Sequence, residues 1–153
     1  MSRIAAVAAR VEELVAAIAP ESKAVGGAGR FVRSDKPLGL DAAPRSFFVD
    51  STNDFAWTGE FTQDREGSIV DETLEITIAY RGGLNHRQVR DVIRQDALRI
   101  QYELMDPGNW ADASNQWRCQ RRQFGAVTAT RVGDGDGGQI IVTIPVTLTY
   151  RPF

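Results

Sequence analysis

The segment from Ile140 to Tyr150 constrains this chain more than any other stretch. Ile140, Val142, Ile144, Val146, Leu148 and Tyr150 alternate with Thr143, Pro145, Thr147 and Thr149, a period of two that a half-buried strand satisfies. One face is core and the other is not. Pro145 cannot donate to a ladder, which predicts that this strand lies at an edge or is bulged there. Before it, the run Gly133-Asp-Gly-Asp-Gly-Gly138 is dense in residues that tolerate positive φ and reads as a hairpin tip. An extended segment from about Arg118 to Val132 leads into that tip, with Gly125 as a candidate bulge. A second alternating stretch sets Leu74, Ile76, Ile78 and Tyr80 against Glu75, Thr77 and Ala79 and predicts a strand from about Asp71 to Tyr80. Ser46 to Asp50 is a short strand candidate.

Two segments carry helical spacing instead. Ile4, Val7, Val11, Leu14, Val15 and Ile18 recur at steps of three and four, with Ser2 as a candidate cap and Pro20 beyond the end. Val89, Val92, Ile93, Ala97, Ile100 and Leu104 form a second stripe, opened by Asn85 with Gln88 three residues later and stopped by Pro107 and Gly108. Residues 21–44 and 51–70 hold no sustained period and are expected to be long loops or arms. The expected fold is α+β in one domain spanning residues 1–153: about four strands in an antiparallel or mixed sheet, with two helices on one face.

Composition narrows the chemistry. With one cysteine, Cys119, and one histidine, His86, there is no intrachain disulfide and there are too few soft ligands for a closed zinc site. Cys119 in a strand reads as a small buried apolar residue. Asp134 and Asp136 resemble the start of a calcium loop, but Pro145 stands where that loop needs a glutamate. Gly82 and Gly83 before a helix match no phosphate-loop or dinucleotide fingerprint. Asp71, Glu72 and Glu75 hold the right groups for acid–base work, yet in an alternating strand they read as its solvated side. The sequence therefore assigns no catalytic residue, no cofactor and no metal. The most apolar segment, the N-terminal helix, is interrupted by Arg10, Glu12 and Glu13, so neither a membrane span nor a signal peptide is expected.

The distribution of charge stands out. The whole chain carries −2, which gives no general attraction to nucleic acid or anionic membrane. Residues 50–75, however, hold eight acids and one base, Arg65, whereas residues 76–131 hold nine arginines and five acids. Arginine supplies 16 of the 18 basic residues; a GC-rich genome would explain that, and so would the suitability of guanidinium for interfaces. The two halves are complementary, and head-to-tail contact between copies closes into rings where the rotation permits. Ordinary solvated faces whose charges mix on folding are the other reading. Phe55, Trp57 and Phe61 lie in the acidic stretch, either as satellite core or as anchors for a partner.

The order of these elements resembles the tail terminator and tail-completion proteins of long-tailed phages, the group of lambda minor tail protein U. The resemblance rests on the helix Ile4 to Ile18, a variable arm, and the strand reaching Tyr80-Arg81-Gly82-Gly83. A helix with Asp96 and Ile100 follows, then a connection holding Trp110 and Trp117, and the closing hairpin ending Ile144-Pro-Val-Thr-Leu-Thr-Tyr-Arg-Pro-Phe153. It implies a virion structural protein of the tail or neck, assembled in the host cytoplasm as a hexameric ring. Such a ring caps the tail tube, joins it to the head–tail connector proteins, and lets DNA pass through its lumen without binding it. Arg87, Arg90, Arg94, Phe55, Trp57, Phe61, Asp64 and Glu66 are the expected interface residues. A head–tail stopper or adaptor ring is the alternative, then a tail-tube subunit, and, from a different class, a small-molecule-binding or enzymatic α/β domain.

Overall fold

A computed structural model describes residues 3–21, 29–58, 69–81, 86–111, 119–133 and 138–151. The elements run α1 (Arg3–Ala17), β1 (Val32–Arg33), β2 (Ser46–Thr58), β3 (Ile69–Arg81) and α2 (His86–Met105). A 3-10 turn (Pro107–Trp110) follows, then β4 (Cys119–Phe124), β5 (Thr128–Val132) and β6 (Gln139–Tyr150). The fold is α+β, as the periodicities require. The sheet, however, has six strands rather than about four, in the order β1-β2-β3-β6-β4, with β5 also on β6. It is mixed, because β1 pairs parallel with β2 while every other pairing is antiparallel.

The centre of the sheet is the ladder between the two alternating stretches, which runs unbroken from Val70↔Tyr150 to Arg81↔Gln139. That register stacks Leu74, Ile76 and Ile78 beside Val146, Ile144 and Val142 on one face, all buried. Both helices cover this face. Val7, Val11, Leu14 and Val15 of α1 join Val89, Ile93, Ile100 and Leu104 of α2 in a single core with those strand residues and Phe47. The opposite face is polar and half-exposed. There Thr73 and Thr147 share a hydroxyl hydrogen bond of 2.9 Å and the Thr149 hydroxyl donates to Asp71.

One expectation is corrected and two are sharpened. Residues 51–58 are not a loop: they continue β2, although the register slips by two residues between Ser51 and Phe55. The 21–44 arm is tied down from Gly29 onward. Phe31 is buried, the Val32 N–H donates to the Arg45 carbonyl at 3.0 Å, and Arg33 bonds Glu12 of α1. Of the two expectations for Pro145, an edge strand or a bulge, the edge falls, since β3 flanks one side of β6 and β4 and β5 the other.

Pro145 is accommodated by an interruption in the neighbouring strand. The Gly125 N–H donates to the Pro145 carbonyl at 3.1 Å, so the proline nitrogen, which lies on the same side of its strand as that carbonyl, also faces the gap between β4 and β5. Registers on either side, Phe124↔Val146 and Thr128↔Thr143, leave one extra residue on the outer strand, a bulge opposite the missing donor. Gly125 is required by close approach, because a Cβ there would sit 2.9 Å from Pro145 Cγ. Gly125→Ala is expected to cost about 1–3 kcal/mol in urea denaturation, part of it regained in the double variant with Pro145→Ala.

The C-terminal end of α2 is closed by side chains. Its last carbonyls have no helical partner. Asn109 Nδ2 donates to the Glu103 carbonyl at 2.8 Å, Trp110 Nε1 to Leu104 at 2.7 Å, and an Arg122 terminal nitrogen to Met105 at 3.1 Å. Arg10 of α1 reaches the Asn109 carbonyl at 2.8 Å, fixing this turn to the first helix.

Candidate functional site

Three groups of residues bear on function: a buried ion pair, a buried carboxylate under the sheet, and an apolar groove beside α2. The ion pair sits at the middle of α2. Asp96 falls on the apolar stripe of that helix and is 2% exposed, and Arg45 is 0% exposed. Arg45 Nε and a terminal nitrogen donate to the two Asp96 oxygens at 2.9 Å each, a bidentate fork, and the Tyr80 hydroxyl adds a third bond at 2.7 Å. Arg45 holds a φ of 62°, a left-handed conformation that costs a non-glycine residue about 1 kcal/mol or more. Its N–H donates to the Ala79 carbonyl at 2.7 Å and its guanidinium lies 5.6 Å from the Phe31 ring centre. The carboxylate is fully engaged and walled off from water, so its work is to lock the 29–45 connection and β3 to α2.

Glu72 corrects the expectation that Asp71, Glu72 and Glu75 share a solvated side. Neighbours in a strand point oppositely, and Glu72 turns into the helix-covered face, where it is buried. The Tyr150 hydroxyl donates to it and Ser51 Oγ donates at 3.2 Å. Cys119 is buried, as expected, and burial pushes its thiol up.

Burial is the main cause that raises Tyr80 and Tyr150 above the usual phenol range, and the Asp96 and Glu72 carboxylates raise them further. A phenol whose folded value exceeds its unfolded value stabilises the fold fully below the unfolded value and loses that contribution as pH rises above it. Unfolding free energy is therefore expected to fall above about pH 10, by up to about 1.4 kcal/mol per pH unit for each of the two tyrosines. Denaturant titrations with Tyr80→Phe and Tyr150→Phe check this, each flattening the alkaline limb.

The groove runs between α2 and β5. It encloses about 500 Å³ and is lined chiefly by Val89, Ile93, Ala97, Leu98, Val127 and Ile140, with Arg90 and Arg94 also on its wall. Arg87, Arg90 and Arg94 are exposed on α2, so the structure brings these three expected interface residues together on one helix. Leu98 is 66% exposed and Tyr102 69% exposed, with Met105 one turn further on; steps of four and three put them on one side of the helix. Arg99 extends along Tyr102 and pairs with Glu103 at 3.0 Å.

The remaining expected residues separate from these. Phe55 and Trp57 belong to β2, two strands away from β6, and their side chains lie outside the described residues. Phe61, Asp64 and Glu66 lie outside them altogether. So do Gly82, Gly83, Asp134 and Asp136, and likewise the His86 side chain. Sequence reading missed Arg45, which no period marks, although Asp96 interrupting the stripe of α2 was a usable signal for a buried partner. No helix among the described residues is long and apolar enough to cross a membrane.

Removing one member of the Arg45–Asp96 pair strands the other charge in the core. Asp96→Leu is expected to cost about 3–5 kcal/mol in chemical denaturation, and Arg45→Met in the same chain is expected to return much of that loss. No protein-family model matches this chain, and a search of curated proteins returns no match.

Proposed function

We propose that this chain is a ring-forming structural subunit of a long-tailed phage, a tail terminator that caps the tail tube and meets the head connector. The observation that carries this reading is the placement of complementary surfaces at opposite edges of one sheet. The open apolar groove with its exposed arginines lies over the β5 side. β2 lies toward the other edge; Asp54 falls on it, and the acids Glu60, Asp64 and Glu66 follow it in the sequence. A positive patch and a negative patch on opposite sides of a molecule favour head-to-tail contact, which repeats until it closes.

The groove is broad and nearly devoid of polar groups aimed into it, which suits a protein surface better than a small substrate needing fixed orientation. The face of the sheet away from the helices suits a lumen. Asp50 stands opposite Glu75, and Asp71, Thr73, Thr77 and Thr143 share that face, with Arg121 at its β4 border. Carboxylates and hydroxyls there repel or ignore DNA phosphates and let a duplex slide.

The test is assembly, alone and on purified tail tubes, followed by sedimentation and negative-stain imaging. Six-fold particles of roughly 100 kDa, six times the 16.9 kDa chain, or discrete caps on tube ends are expected. Arg90→Glu with Arg94→Glu should abolish them without lowering the melting temperature, and adding Asp64→Arg with Glu66→Arg should restore them. Rings that persist in the arginine variant would remove α2 from the interface. Binding to connector rings but not to tubes would move the protein to the head–tail stopper or adaptor position.

A further inference from the structure

At the C-terminal end of α2 lies a second cavity, of about 630 Å³, by the start of β4 and away from β5. Pro107, Trp110, Cys119, Gln120, Arg122 and Arg151 line it. Two of these residues leave a donor unused: Nε of Arg122 and Nε of Arg151 are both buried and neither has a hydrogen-bond partner among the described residues. Such orphans are rare in folded proteins, because each costs about 1–3 kcal/mol of uncompensated desolvation. The Arg122 guanidinium is otherwise fixed. Its terminal nitrogens donate to the Cys119 carbonyl at 3.2 Å and the Met105 carbonyl at 3.1 Å, and it sits 6.0 Å from the Trp110 ring centre. Among the described lining residues there is no aspartate or glutamate, and the Cys119 thiol, pushed up by burial, adds no negative charge.

We propose that this cavity is an oxyanion site, in which the guanidinium groups of Arg122 and Arg151 on its wall hold a phosphate or carboxylate group. Guanidinium N–H donors and oxyanions form short, charge-assisted bonds, and two arginines with spare donor capacity meet on this wall with no carboxylate among the described lining residues. Arg122 is held in place by the helix end and arrives pre-oriented, so ordering costs on binding fall mainly on Arg151. The cavity is larger than one inorganic anion, so the oxyanion is the anchoring group of a larger small-molecule ligand. The site does not depend on ring assembly and is testable on the isolated chain.

The experiment measures melting temperature and calorimetric binding with inorganic phosphate and, separately, with acetate, at ionic strength held constant with chloride. A saturable rise with either anion is expected in the natural chain, with affinity lowered at least tenfold in Arg151→Gln, a change that leaves the α2 end untouched. Arg122→Lys, which keeps the charge but loses the fixed guanidinium plane, should weaken it similarly. Preference for phosphate or for acetate then assigns the natural group to a phosphate or a carboxylate source. No saturable response to either anion, or an equal response in the natural chain and Arg151→Gln, meaning an adventitious ion only, would overturn the proposal.

Discussion

The position of α2 over the sheet depends on the bidentate contact between Arg45 and Asp96. Apolar packing alone would let a helix slide or rotate over a flat surface of isoleucines and valines with little change in buried area. A buried fork of two 2.9 Å bonds tolerates no such shift, because moving it exposes two desolvated charges to an apolar environment. The pair adds little net stability compared with a hydrophobic substitute, and its contribution here is register. Arg45 lies beside the Ala79 carbonyl of β3 and ends the 29–45 connection, so one contact orients the connection, the central strand and the helix together. The groove beside α2 inherits its shape from that orientation.

Much of this architecture was legible in the sequence, for a local reason. α1, α2, β3 and β6 each repeat their buried positions with the period of their own element, and the structure places them within about two residues of the expected limits. The β4–β5 region was legible as one extended segment with a bulge at Gly125, since a glycine inside a strand pattern is a local signature, whereas its place opposite Pro145 was not. The second half of β2 was not legible. Two extra residues between Ser51 and Phe55 break the alternation, and in Ser51-Thr-Asn-Asp54 only the threonine favours a strand. That strand exists because β3 offers it a ladder, a tertiary decision that no window of sequence contains. β1 is the same case at smaller scale, two residues held by the backbone around Arg45 and Phe47.

The candidate sites divide along similar lines. The arginines at 87, 90 and 94 fall on one helix, and helical spacing alone groups them. The apolar part of the groove needs β5 and β6 beside α2, which depends on strand order. The error over Glu72 is instructive because alternation already separated it from Asp71 and Glu75. A carboxylate on the buried side of a strand demands a donor, and Tyr150, its neighbour across the β3–β6 register by way of Val70 and Leu148, supplies one. Reading charge by segment treated three acids as one patch, whereas reading it by face would have found two on the surface and one in the core.

Helix α2 therefore keeps its structural duties on its inward side and its C-terminal end, apart from its outward face. Its core stripe carries Ile100 and Leu104 with no exposure to solvent. Asp96, on the same inward side, sets the angle, and the carbonyls at its end are met by Asn109, Trp110 and Arg122. With these needs satisfied internally, the outward residues Arg90, Arg94, Leu98, Tyr102 and Met105 contribute little to holding the fold. Single exposed apolar side chains are ordinary on protein surfaces, but three on one helical side, continuous with an apolar groove and bordered by arginines, form a patch of the kind that marks contact with another protein. A surface free of structural duty can change to suit a partner without unfolding the subunit. That freedom is what a protein acting by fit against its neighbours requires, and it is why the core pair and the outer arginines should respond so differently to substitution.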